Sequence, residues 1–171
     1  IITNSSAPAV TAHPSLGVFG CHRTVLLTRE GSNIRTLDEI RGKPIGYVTN
    51  ALLLQKFGGR HGEEIVEVTN SRSLFMMMVN DRLDGFFVSD MVLDAYIKDG
   101  IPIADLPTNW RDKLGPVLTL EAAQVHLRMN KAKADDAIAG KLRNAISSLR
   151  ARHQFENIYL RYGSSTGGSC P

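Results

Sequence analysis

Eight residues of this 171-residue chain combine the right chemistry with the right places to hold a ligand: Thr49, Asn50, Ala51, Asn70, Ser71, Arg72, Ser89 and Asp90. All eight stand where an apolar, β-branched run gives way to a helical pattern. Asp90 is the sharpest of them. A carboxylate at the end of a buried run either caps the next helix, worth about 0.5–2 kcal/mol, or holds out a charge-assisted hydrogen bond to a cation. Thr49, Asn50 and Ala51 open another helix, whose free N–H groups and positive dipole end suit an anion. Capping alone also explains Thr49 or Asn50 there, and it explains Asn70 and Ser71 before the helix between them. Arg72, in a first helical turn and against the dipole preference, either faces an acidic solute or is a solvated surface charge.

Other reactive side chains form no constellation. His13, His22, His61, His126 and His153 lack metal-ligand spacing, so no metal site is expected. Cys21 and His22 are sequence neighbours and point to opposite faces of a strand, which is wrong for a nucleophile pair. Cys21 and Cys170 are too few for a disulfide framework, and the sequence leaves open whether they are bonded. The run Met76-Met77-Met78 spreads over three faces of one helix and reads as core filling. No phosphate-binding glycine loop, serine-hydrolase elbow or zinc-protease helix occurs, so no catalytic residue and no cofactor are expected.

The elements that must position the eight residues follow from hydrophobic period and turn residues. Strands are expected at 22–30, 44–48, 64–68, 85–89 and 122–130. Helices are expected at 36–43, 50–57, 71–82, 91–99, 133–153 and 154–163. In the helix at 71–82, Leu74, Met77 and Met78 share one face. In the long helix, the apolar residues at 138, 142, 146 and 149 mark it as amphipathic. Thr36 and Glu39 make a capping box. Residues 1–20 read as irregular or edge structure, 101–116 as loop with a short strand at most, and 164–171 as a tail. "GFFVS" at 85–89 shows no polar alternation, as a strand buried on both faces should not. Alternating strands and helices with short loops imply an α/β fold with a parallel sheet and right-handed crossovers.

Composition narrows the function classes. Hydrophobic content of 43% supports a core, and charged content of 22% is ordinary. A formal charge of +3, with no cluster of Lys and Arg among aromatics, excludes a nucleic-acid partner. No apolar run reaches the roughly 20 residues of a membrane helix. No signal peptide is present and the first residue is Ile, so a processed form or a fragment is expected.

Four stretches, in order, carry a resemblance: "NIRTLDEIRGKPIGYVTN", "LFMMMVNDRLDGFFVSD", "AAQVHLRMNKAKAD" and "LRNAISSLRARHQFENIYLRYG". Together they resemble the type II periplasmic solute-binding proteins, in particular those for amino acids and similar small polar solutes. The likeness spans residues 22–163. It implies a βαβαβ second lobe at 36–117, with 1–35 and 118–171 supplying two hinge strands and the C-terminal helices of a partial first lobe. The family's opening 80 to 100 residues, which bring an arginine and covering aromatics, would lie before Ile1. Asn80-Asp81 replaces a usual glycine, and "YVTN" lacks the family's Gly-Thr or Gly-Ser pair.

The resemblance implies a non-enzymatic binder of a small-molecule solute, periplasmic or extracytoplasmic, serving an ABC transporter membrane component or a sensor. Asp90 would hold the solute's α-amino group. A cyclohexadienyl dehydratase-like lyase on the same scaffold, with Asp90 as general acid, is one alternative. An effector-binding module of a receptor or transcription regulator is another. With the first lobe partial, the apolar face of helix 133–153 lacks cover, and a homo-oligomer is expected.

Overall fold

The computed structural model describes residues 2–4, 14–49, 52–97, 106–130 and 135–161. Six strands form one mixed sheet in the order β1-β6-β2-β5-β3-β4: β1 Ile2–Asn4, β2 Ser15–Arg29, β3 Pro44–Val48, β4 Glu64–Val68, β5 Gly85–Ser89 and β6 Leu114–Arg128. The helices are α1 Leu52–Phe57, α2 Ser71–Val79, α3 Asp90–Ile97, α4 Asp136–Ala151 and α5 Gln154–Arg161. Two compact units result, one of residues 24–121 and one of 1–23 with 122–171. The fold class is α/β of the periplasmic-binding-protein type.

Unit 24–121 is built around the parallel trio β4-β3-β5. Short loops and one helix per crossover enforce that parallel pairing. β5 is buried along Gly85–Val88, so its two faces serve two cores. Phe86 joins Val25, Leu27, Leu74, Phe75 and Met78 on one side. Phe87 joins Leu26, Ile40, Ile45 and Tyr47 on the other, stacked between Tyr47 and Phe57 with centroids 5.1 Å from each. Gly46 sits where these layers close: a Cβ there would lie 2.6 Å from Leu74 Cδ2 and 2.7 Å from Leu83 Cδ1. At the opposite strand ends, Arg29 Nη2 donates to Asp84 Oδ1 at 2.5 Å and Arg29 Nε to Leu83 O at 3.2 Å.

Several expectations are corrected. The sheet is mixed, not parallel throughout: β2 runs antiparallel to β5, and β1 antiparallel to β6. β2 begins at Ser15, inside the stretch read as irregular, and β6 begins at Leu114, inside the expected loop. Gly115 is needed there because a Cβ would come within 2.7 Å of Arg29 O, while Thr28 Oγ1 donates to Pro116 O at 2.8 Å. The helix expected at 36–43 is a 3-10 turn, Leu37–Ile40. Glu39 reaches back as expected, accepting from the Thr36 N–H at 2.9 Å. Those N–H donors, with that of Arg35, hold the Glu39 carboxyl below its ordinary range.

Unit 1–23 with 122–171 has a smaller core: Leu16, Ala139 and Ile146 are buried, with Leu127, Met129 and Phe155 against them. Ser15 Oγ and His126 Nδ1 are hydrogen-bonded at 2.9 Å. Of the expected apolar face of α4, Ile146 is buried together with Ala139. Ile138 is 52% exposed, and Leu142 and Leu149 are 38% exposed. Residues 162–171 and the expected helix start at 133–134 lie outside the described residues.

Candidate functional site

The register of the trio sets three helix starts level. Pro44 to Val48 pair with Glu64 to Val68, an offset of twenty residues, and Ile45 pairs with Gly85, an offset of forty. Continued by one residue, this puts Thr49 beside Thr69 on one flank and Ser89 on the other. The Thr49 N–H indeed donates to Val68 O at 2.7 Å. With strands about 4.8 Å apart, the three junctions span roughly 10 Å at the carboxyl edge of the sheet.

The order β4-β3-β5 also locates the switch point. The chain leaves β3 toward β4 and then crosses to the far side to form β5, so its connections diverge between β3 and β5. Ligands in open α/β sheets bind outside the carboxyl ends at such a point. Thr49, Ser89 and Asp90 flank it. Asn50 and Ala51 lie outside the described residues. Thr49 is exposed, while Ser89 and Asp90 are half-buried.

The capping roles are divided differently from the simplest expectation. Asp90 is the first residue of α3, not its cap, and its Oδ1 accepts from the adjacent Met91 N–H at 2.9 Å. Ser89 Oγ accepts from the Val92 N–H, three residues on, at 3.4 Å. The cap geometry belongs to Ser89, so the helix start does not depend on the Asp90 carboxylate alone.

At the β4 edge, capping fully occupies Asn70. Its extended backbone (φ −157, ψ 162) starts α2, and its Oδ1 accepts from the Ser73 N–H at 3.0 Å and Ser73 Oγ at 3.2 Å. Its Nδ2 donates to Thr69 Oγ1 at 3.2 Å. Ser71 is half-buried within the first turn of α2 and Arg72 is exposed. Arg72 borders an open pocket of about 610 Å³ with Thr69, Asn70, Ser73, Met76 and Met77. Its lining combines the polar Thr69, Asn70, Arg72 and Ser73 with the thioethers of Met76 and Met77. Only Met78 of the methionine run is fully buried, and the other two pack partly against the core.

Two neighbours were not anticipated from sequence. Thr24, buried at 1% exposure, is the antiparallel partner of Ser89. Thr69 stands level with Thr49. Both depend on strand pairing, which residue types alone do not reveal. Among the described residues no His, Cys, Asp and Glu group could hold a metal ion. Cys21 is buried and disulfide-bonded, so it offers no thiol nucleophile beside His22. Cys170 lies outside the described residues.

One buried acid lies away from the carboxyl edge. Burial of Glu63 raises its pKa, but hydrogen bonds from the Tyr47 hydroxyl and from the Gly59 and His61 N–H groups outweigh this and hold it low. Burial, with the Glu63 carboxylate beside it, drives the Tyr47 hydroxyl well above the usual phenol range. The pair fixes the turn between α1 and β4.

No family model and no curated protein matches the chain. Solved structures do. The L-cystine solute receptor of Neisseria gonorrhoeae, unliganded and open, is 16% identical with a TM-score of 0.67, covering 96% of this chain and 66% of that one. The substrate-binding protein of an amino acid ABC transporter is 14% identical with a TM-score of 0.69, covering 94% and 67%. A histidine kinase sensor domain similar to periplasmic binding proteins is 14% identical with a TM-score of 0.74, covering 94% and 67%. The chain spans about two thirds of the length of these structures. They are named as a receptor, a binding protein and a sensor domain, none of them as an enzyme. With the switch point and the level helix starts, these likenesses give the chain the fold of the type II amino-acid solute-binding proteins.

Proposed function

We propose that the chain is a non-enzymatic solute-binding domain that holds a small polar, amino-acid-like solute at the carboxyl edge of β3 and β5. The observation that carries this reading is the forty-residue register between β3 and β5, Ile45 with Gly85 and Gly46 with Phe86, which carried on along both strands brings Thr49 level with Ser89, next to Asp90. Asp90 takes the solute's ammonium group. Thr49, Asn50 and Ala51, at the start of α1, take its carboxylate through N–H groups and a hydroxyl. Ser89 contributes mainly by capping α3, which orients Asp90. Asn70, Ser71 and Arg72 form the outer part of the site, with Arg72 available to a second acidic group. Residues 36–117 act as the second lobe, and 1–35 with 118–171 as the partial first lobe.

A transporter-associated role fits the ABC-transporter neighbour, with a membrane component of the transporter as partner. A sensory role is the second reading, supported by the likeness to the histidine kinase sensor domain. Both place the domain outside the cytoplasm, and the disulfide at Cys21 suits an oxidising compartment. Homo-oligomerisation is part of the same proposal, on the strength of the apolar side chains exposed on α4.

Isothermal titration of the folded chain against amino acids, polyamines and small carboxylates tests the reading. Heat is expected with amino acids. Asp90→Asn is expected to weaken that binding by about 10- to 100-fold, the range of a lost charged hydrogen bond. Absence of heat with all three classes, for a folded sample, removes the claim that this chain binds alone. Unchanged affinity in Asp90→Asn removes Asp90 as the ammonium partner.

A further inference from the structure

The exposed face of α4 has a pattern of its own. Ile138, Leu142, Ala145 and Leu149 are all exposed and are spaced four, three and four residues apart. That spacing is the seam of a two-helix supercoil, in which side chains repeat every 3.5 residues on average. The face packed on its own unit runs through Ala139 and Ile146 instead. At 3.6 residues per turn the two faces lie about 80° apart, so α4 can keep its own core and present the seam outward. Arg143 and Arg150 turn more than about 100° away from the seam and do not obstruct it.

Charge at the two ends decides the orientation of a partner helix. Asp135 stands at the start of α4, where it caps by accepting from the Ala137 N–H at 2.8 Å. Arg152 stands at the other end, exposed, with its guanidinium on Ser148. A parallel copy of the helix would set Asp135 against Asp135 and Arg152 against Arg152. An antiparallel copy sets Ile138 level with Leu149, Leu142 level with Ala145, and Asp135 level with Arg152. One register satisfies all three pairings, and it is self-complementary, as a two-fold interface must be.

We infer that the face Ile138–Leu142–Ala145–Leu149 binds a second copy of this chain, α4 against α4, antiparallel about a two-fold axis between residues 143 and 144. The apolar steps form the centre of the contact and the Asp135–Arg152 pairs close its ends. The inference is independent of what the carboxyl edge of the sheet binds.

Light scattering and sedimentation of the 171-residue chain at about 20 µM test it. A dimer is expected, and Leu142→Glu, at an exposed position, is expected to raise its dissociation constant at least 100-fold with unchanged circular dichroism. The register is read by crosslinking with a short bis-maleimide, the native disulfide left intact. Ile138→Cys mixed with Leu149→Cys is expected to give a crosslinked pair, and Ile138→Cys alone is not. A monomeric parent chain would overturn the inference and leave the stripe to a segment of a longer polypeptide. A dimer indifferent to Leu142→Glu, or self-crosslinking by Ile138→Cys, would overturn the stated face or its orientation.

Discussion

The two units treat their large apolar side chains in opposite ways. In 24–121 the sheet is covered on both faces, with Phe86 and Phe87, neighbours in sequence, each at 1% exposure or less on opposite sides. Among the described residues of the other unit the buried cluster is Leu16, Ala139 and Ile146, while Ile138, Leu142, Leu149 and Ile158 stay exposed. A body closed on both sides can place polar groups at its strand ends and keep them there. A body closed on one side retains apolar surface for something else. This contrast is the reason we propose binding for the first unit and assembly for the second.

The strongest way to break this contrast is a cavity in the closed unit. Phe86→Ala is expected to cost about 3–5 kcal/mol in urea unfolding, whereas Ile138→Ser added to a monomeric Leu142→Glu chain should move that chain's unfolding by less than about 0.5 kcal/mol. Equal effects would mean that α4 is as integrated as β5. A middle-sized effect is expected at the Glu63 hub. Glu63→Gln leaves the Tyr47 hydroxyl and two N–H groups without their carboxylate, and about 1–3 kcal/mol should be lost at neutral pH. The pH dependence has a definite sign. The folded carboxyl titrates below its ordinary 4.5. Its contribution is therefore present above about pH 4.5 and lost as pH falls through the lower folded value. Urea midpoints measured between pH 7 and 3 should fall for the parent chain and fall less for Glu63→Gln.

The smallest effect sharpens the division of labour inside the closed unit. Asn70→Ala removes a cap and should cost about 1 kcal/mol, with a much smaller loss of solute affinity than Asp90→Asn. A large loss of affinity in Asn70→Ala, measured by titration calorimetry, would move the site from the β3–β5 switch point to the β4 edge.

The βαβαβ lobe was legible because its strands are short apolar runs between turn residues, and because helix caps follow them directly. "PIGYV" and "GFFVS" occupy the predicted residues without adjustment. The long strands were only half legible. Residues 1–20 show no clear period and 101–116 are broken by prolines, yet β2 begins at Ser15 and β6 at Leu114. At Gly115 the reason is a close backbone approach, a property of the neighbour rather than of the residue. On α4 the pattern named the right helix and an apolar face of which Ile146 is buried and Ile138, Leu142 and Leu149 stay exposed, whereas the burial of the small Ala139 beside Ile146 was not legible. The candidate site shows the same limit. Residue types singled out both Ser89 and Asp90, but only the fold assigns the three-residue cap to Ser89 and makes Asp90 the first residue of α3. Thr24 and Thr69 were invisible because pairing, not composition, brings them to the site.

The twenty-residue spacing of β3, β4 and β5 has a consequence for how such a domain can diversify. Each repeat returns the chain to the same height, so the stretches just after residues 48, 68 and 88 act as interchangeable cassettes above a common floor. That floor is Gly46, Leu74, Leu83 and Phe86, one residue layer or more below the carboxyl edge. Substitutions in the cassettes can change what is recognised while leaving the floor untouched. An inserted residue within a strand would break the shared height, and with it the alignment of all three stretches. Variation in ligand preference should thus accumulate by replacement at the carboxyl edge, and variation in length at the opposite edge, around Gly42, Gly62 and Asp84.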